Sequence, residues 1–189
     1  MPRPGAVGLQ RFDRDAFPPA RLASTLLLLY PGDDGELLIP LTVRHADLRA
    51  HAGEVSLPGG AVEPADASRE AAALRETWEE VGVGPELVRV VGTLDDVWIP
   101  VTNFELRPFV GTASERPEIA PHEDEVALVV ELPARQLVTE GAISDEVVHG
   151  QGWTLRVGGY RHEGQLIWGA TARTLAMLAT VLNGAAAEP

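Results

Sequence analysis

The chain contains no cysteine and no lysine. The first absence excludes disulfides, thiolate nucleophiles and zinc–thiolate centres, and it fits a reducing cytoplasm, which is the expected location. The second excludes Schiff-base chemistry and the P-loop lysine, since all fifteen basic residues are arginine. Fifteen cationic side chains against twenty-eight acidic ones leave a formal charge of −13. Nonspecific nucleic-acid binding and attachment to acidic membranes both need a basic face, so neither is expected. Long apolar runs are missing as well. Residues 26–30 are too few to span a bilayer, and the amino-terminal MPRPGAVGLQRFDRD lacks the apolar core of a signal peptide.

The 189 residues, 45% of them hydrophobic, suffice for one domain with its own core. That domain covers 1–189, with a short extension over about 1–20 and a frayed tail over about 184–189. Residues 24–30 and 36–43 read as strands joined by the turn Pro31-Gly32-Asp33-Asp34-Gly35. Residues 67–81 form a helix, followed by strands over 87–94, 105–112 and 125–132. Residues 133–137 open a short helix, 153–157 and 160–168 make a hairpin around Gly158-Gly159, and 171–182 form a closing amphipathic helix. Mixed strands with helices on both sides imply an α/β fold, an α/β/α sandwich around a mixed sheet.

Between Gly60 and Val83 the chain reads GAVEPADASREAAALRETWEEVGV, placing Glu76, Glu79 and Glu80 at i, i+3 and i+4. On a helix these carboxylates share one arc, opposite an oily arc of Ala71, Leu74, Trp78 and Val81. Like charges so close repel unless a proton or cation sits among them, and oxygen ligands select Mg²⁺ or Mn²⁺. A solvated acidic face is the alternative reading of any such triplet. The surroundings favour the metal. The pair Gly59-Gly60 leads in, Asp66 can cap the helix, Arg75 can reach Glu79 at i+4, and Gly82 can stop the helix in the left-handed conformation. Arg44 and Arg49 offer planar forks for phosphate oxygens, and His51 either hydrogen-bonds a phosphate or orients the loop. Gly53, Gly59 and Gly60 suit places where backbone approaches a metal or phosphate closely.

The run from Arg75 to Val83, with Gly60 upstream, resembles the Nudix box, G-x5-E-x7-R-E-U-x-E-E-x-G-U with U apolar. Three positions depart from it: Asp66 stands for Glu, the gap to Arg75 is one residue longer, and Thr77 occupies an apolar position. Upstream, residues 41–60, LTVRHADLRAHAGEVSLPGG, resemble the added signature of the coenzyme A pyrophosphatase branch, approximately L-L-T-x-R-S-x-x-L-R-x-H-x-G-E-x-S-F-P-G-G. Here His45 replaces Ser and Leu57 replaces Phe. That branch commonly carries the Asp and the longer gap. The resemblance extends to the run Glu123-Asp124-Glu125-Val126 and to residues 167–172.

The resemblance implies a Nudix-type fold and metal-dependent hydrolysis of the pyrophosphate bond of coenzyme A, giving 3′,5′-ADP and 4′-phosphopantetheine. Glu76, Glu79, Glu80, Glu125 and the Gly60 backbone would hold Mg²⁺ or Mn²⁺, and Glu80 or Glu125 would accept the proton of the attacking water. Arg75 would orient Glu79. Arg44, Arg49, His51, Gly59 and Gly60 would contact substrate, and Phe104 would stack on a base or pack. Within residues 98–104, Asn103 replaces a usual Gly. Two other readings stay open: a Nudix hydrolase of another nucleoside diphosphate linked to X, such as ADP-ribose or NADH, and a silent Nudix ligand-sensing domain. Family members are often dimers, so a homodimer is the assembly this resemblance allows.

Overall fold

The structure, a computed structural model, describes residues 13–45, 53–150 and 153–186. In chain order its strands and helices are β1 (Arg21–Pro31), β2 (Leu37–Arg44), β3 (Val55–Ser56), β4 (Gly59–Ala61), α1 (Arg69–Val81), β5 (Arg89–Thr93), β6 (Val97–Ile99), β7 (Phe104–Thr112), β8 (Val126–Pro133), β9 (Ser144–Gly150), β10 (Trp153–His162), β11 (Gln165–Ile167) and α2 (Gly169–Ala186). None of the described helices is long and apolar enough to cross a membrane.

β1 explains the layering. Its residues 23–30 are all buried, without the polar alternation of a strand that has one wet face. Leu27 and Leu29 pack in one cluster with Leu175 and Leu178 of α2. Leu26, Leu28 and Tyr30 pack in a second with Ala73 and Val81 of α1. The two helices therefore cover opposite faces of a mixed sheet, the expected α/β/α arrangement, with β7 parallel to β1 and the other strand pairs antiparallel.

β1 and β2 are paired only near their turn, at Tyr30↔Leu38 and Pro31↔Leu37. They then part. β1 continues between β4 and β7, and β2 continues between β3 and β8. The segment from β3 to β4 spans the opening, held by Pro58, whose carbonyl oxygen accepts from Leu26 N at 3.0 Å and from Thr25 Oγ1 at 2.6 Å. The carboxyl half of α1 lies over this bridge.

Several expectations need correction. Ser68, not Asp66, caps α1, its hydroxyl accepting from Ala71 N. The buried side of α1 carries Ala72, Ala73, Thr77, Glu80 and Val81, while Trp78 is 57% exposed. The helix turns its carboxylate-bearing side, not the Trp78 side, toward the sheet. Thr77 is fully buried because its hydroxyl donates to Ala73 O at 2.7 Å, which satisfies it without an outside partner. Gly158-Gly159 is no turn: β10 runs straight through it, and the hairpin reverses at Glu163 and Gly164, with φ of 48° and 78°. A Cβ at Gly159 would lie 2.8 Å from Ile167 O, so close strand approach explains that glycine. β6 and β9 are strands in segments to which the sequence reading assigns no element.

Candidate active site

The glycine pair of β4 brings backbone against the carboxylates of α1. A Cβ on Gly60 would lie 2.5 Å from the Glu76 carboxyl group, and one on Gly59 would lie 2.4 Å from Ser24 O. Gly59 N donates to Glu80 Oε2 at 3.3 Å. Arg44, at the end of β2, sets its Nη1 3.8 Å from Glu80 Oε1, and its buried Nε has no hydrogen-bond partner among the described residues.

Arg75 organises the exposed flank. It grips Asp66 through Nε at 2.9 Å and Nη2 at 3.1 Å, and its Nη1 donates to Glu76 at 3.0 Å and Glu79 at 2.7 Å. Nη2 also reaches Ala61 O at 3.2 Å. The Arg75 fork holds the Asp66 carboxyl below its ordinary range, and the same contact raises the arginine above its own.

Glu125 is carried by the segment before β8, which is clamped to the end of α1. Ala120 N donates to Val81 O at 2.9 Å and His122 N to Glu80 O at 3.0 Å, using carbonyls that a helix end leaves free. Gly82 closes the helix with φ of 74°. From the other side His45 N donates to Glu125 O at 3.2 Å. Glu125 itself is exposed, yet its charge acts on both Glu76 and Glu80.

The inner carboxylates are the perturbed ones. Glu80 is raised to about 7, chiefly by burial, with Glu76 and Glu125 adding to the shift and the Gly59 N–H and Arg44 opposing it. Burial also raises Glu76, against the pull of Arg75. Among the described residues no three His, Asp or Glu groups converge as a closed ligand set. The donor chemistry nevertheless fits a hard divalent cation. Glu80 has a side chain only 5% exposed, and neighbouring carboxylates outweigh the help of Arg44, a charge excess that a cation relieves.

The other expected residues are dispersed. Arg49 and His51 lie outside the described residues. Phe104 opens β7 beneath Arg21, whose Cζ is 4.5 Å from the ring centroid. Strand alternation turns Phe104 away from the face that carries Phe109 and α1. Asn103 has φ of 51°, in the left-handed region that Asn tolerates better than most residues, which suits the place where the resemblance leads one to expect Gly. Leu57 is 5% exposed within the α2-side core, so its replacement of Phe is a packing change.

The clasp of Asp66 on Arg75 was not foreseen, since it joins a loop residue to the middle of a helix and no helical spacing records it. Neither was Arg69, whose Nη2 donates to Ala23 O and Glu105 O, both at 2.8 Å, tying the start of α1 to β1 and β7.

A sequence profile described as NUDIX domain matches residues 20–151. NudL of Citrobacter koseri, described as an uncharacterised Nudix hydrolase, is 42% identical over 139 residues, covering 74% of this chain and 72% of its own. Among solved structures, the M. smegmatis Nudix hydrolase RenU superposes with a TM-score of 0.59 at 19% identity, covering 92% of this chain and 91% of its own. A MutT/nudix family protein from Enterococcus faecalis gives 0.60 at 18% identity, covering 88% and 64%. At such identities the superpositions speak for the fold.

Proposed function

Since the chain belongs to the Nudix family, we propose that it hydrolyses the pyrophosphate bond of coenzyme A and its derivatives, with Mg²⁺ or Mn²⁺ as cofactor. The observation that carries the reaction class is the buried Glu80 carboxylate, raised to about 7 and flanked by Glu76, Arg44 and the Gly59 N–H. The substrate assignment rests on the signature over residues 41–60. Of its two departures, Leu57 is a core side chain, and His45 donates its backbone N–H to Glu125 O.

Glu76, Glu79, Glu80, Glu125 and the Gly60 carbonyl would hold the metal. Bound there, a divalent cation supplies charge neutralisation of the phosphates and a more acidic water. The chain's own residues do the rest. Glu80 accepts the proton of the attacking water, a role suited to a carboxyl group that titrates near neutrality. Glu125 adds a second, exposed carboxylate whose charge acts on Glu76 and Glu80. Arg75, fixed by Asp66, keeps Glu76 and Glu79 in place. Arg44 offers a phosphate oxygen its Nε, which has no partner among the described residues, and a weakly held Nη1. Arg49 and His51 are assigned to the same phosphates by the signature alone.

A panel assay tests this reading. Coenzyme A, ADP-ribose and NADH are incubated with the protein and either cation. The expected result is fastest cleavage of coenzyme A to 3′,5′-ADP and 4′-phosphopantetheine. Faster cleavage of ADP-ribose or NADH would reassign the substrate within the family.

A further inference from the structure

β9 is the outer strand of the three-stranded β11–β10–β9 sheet. All seven of its residues pair with β10, from Ser144↔Gly159 to Gly150↔Trp153. Beyond Gly159 the two strands form a ribbon with unlike faces. Val148, Leu155 and Trp153 share one face, whereas Asp145, Val147 and His149 stand on the other. Trp153 is 48% exposed and Val147 50%. A lone two-stranded ribbon is marginal in water, and an open edge is a template for a further strand.

We infer that β9 pairs antiparallel with β9 of a second copy of this chain, about a two-fold axis through Val147, and that this seam makes the protein a homodimer. Opposed residues must both turn their backbone groups to the seam, so the axis passes through a residue. Centring it on Glu146 sets that carboxylate against its own copy, which destabilises. Centring it on Val148 leaves Ser144 and Asp145 beyond the end of the opposing strand. Centring it on Val147 pairs all seven residues, with Val147 against itself and Asp145 against His149 at both ends.

The side chains suit that register. The Asp145 carboxylate is 89% exposed, and its ion pair with Arg156 is loose at 3.9 Å. His149 uses Nδ1 on Thr154 at 3.1 Å, which leaves Nε2 for Asp145 of the other copy. Glu146, opposite Val148, already has its charge answered by Arg161 through two contacts of 2.7 Å. The joined ribbons make one six-stranded sheet with the two sets of Val148, Leu155 and Trp153 on a common face. This inference does not depend on the reaction proposed above.

The test is the molar mass of the full chain by sedimentation equilibrium and light scattering, from low to high micromolar. The expected mass is twice the 20.2 kDa of one chain. Val147→Lys, which sets two ammonium groups face to face, and Asp145→Lys, which opposes His149, should each weaken the dimer at least about tenfold. The exchange D145H/H149D should restore it, and Val181→Lys, at an exposed position on α2 away from the seam, should leave it intact. Circular dichroism confirms folding; should Val147→Lys fail to fold, Asp145→Lys decides. A monomer at high concentration, a dimer indifferent to Asp145→Lys, or equal loss with Val181→Lys would overturn the inference.

Discussion

Arg75 and Asp66 face each other in a two-pronged ion pair, with contacts of 2.9 and 3.1 Å, and this pair aims the remaining prong of the guanidinium at Glu76 and Glu79. In the function proposed, Arg75 is a positioning residue for the carboxylate face. Replacing Asp66 by Ala should lower kcat by about tenfold or more through misplaced carboxylates, with the fold retained. Arg75→Lys should be no rescue, because an ammonium lacks the planar fork that serves Asp66, Glu76 and Glu79 at once. Steady-state kinetics with circular dichroism checks both.

The adjacent glycines should fail in different ways. At Gly59 an added Cβ meets backbone, Ser24 O at 2.4 Å and Thr25 Cα at 2.6 Å, so Gly59→Ala should cost about 2–4 kcal/mol in thermal or denaturant melts. At Gly60 the neighbour is the movable end of Glu76, at 2.5 Å. Gly60→Ala should keep near-native stability and lose turnover.

How far the sequence disclosed this site follows from what kind of contact builds it. Glu76, Glu79 and Glu80 stand on one helix, so spacing alone placed them together, and the left-handed Gly82 stop and the Pro31–Gly35 turn were equally local. Reading the oily face through Trp78 misjudged the helix, because burial of α1 depends on Ala72, Ala73 and Thr77, whose small size lets the helix lie close to the sheet. Tertiary contacts such as Asp66 with Arg75, or the Ala120 and His122 amides on the end of α1, leave no periodic trace. Gly158-Gly159 misled for a related reason: a glycine pair marks a turn or a close approach, and only β11 shows which.

Glu80 makes stability depend on pH in the metal-free protein. Its folded pKa is raised to about 7 from 4.5, so the folded state holds the proton more tightly than the unfolded chain. The resulting stabilisation is full below the unfolded value and is lost as pH rises through about 7, an effect of up to about 3 kcal/mol. Melts in EDTA should therefore show wild type losing stability between about pH 5 and 8, and Glu80→Gln should flatten that slope. Identical slopes would remove Glu80 from the account.

Arg44 should be felt in both binding and titration. Its guanidinium lowers the Glu80 pKa from 3.8 Å away. Arg44→Ala should raise KM for coenzyme A about tenfold and displace the acidic limb of the pH–rate profile to higher pH. An unchanged limb would separate Arg44 from Glu80.

The most direct test of the central claim, that the carboxylate side of α1 gathers a divalent cation and cuts a phosphoanhydride, is the turnover of coenzyme A by wild type and Glu80→Gln with saturating Mg²⁺ or Mn²⁺. The account predicts release of 3′,5′-ADP by wild type and a loss of about a hundredfold or more in the folded variant. Turnover equal to wild type in Glu80→Gln would contradict it.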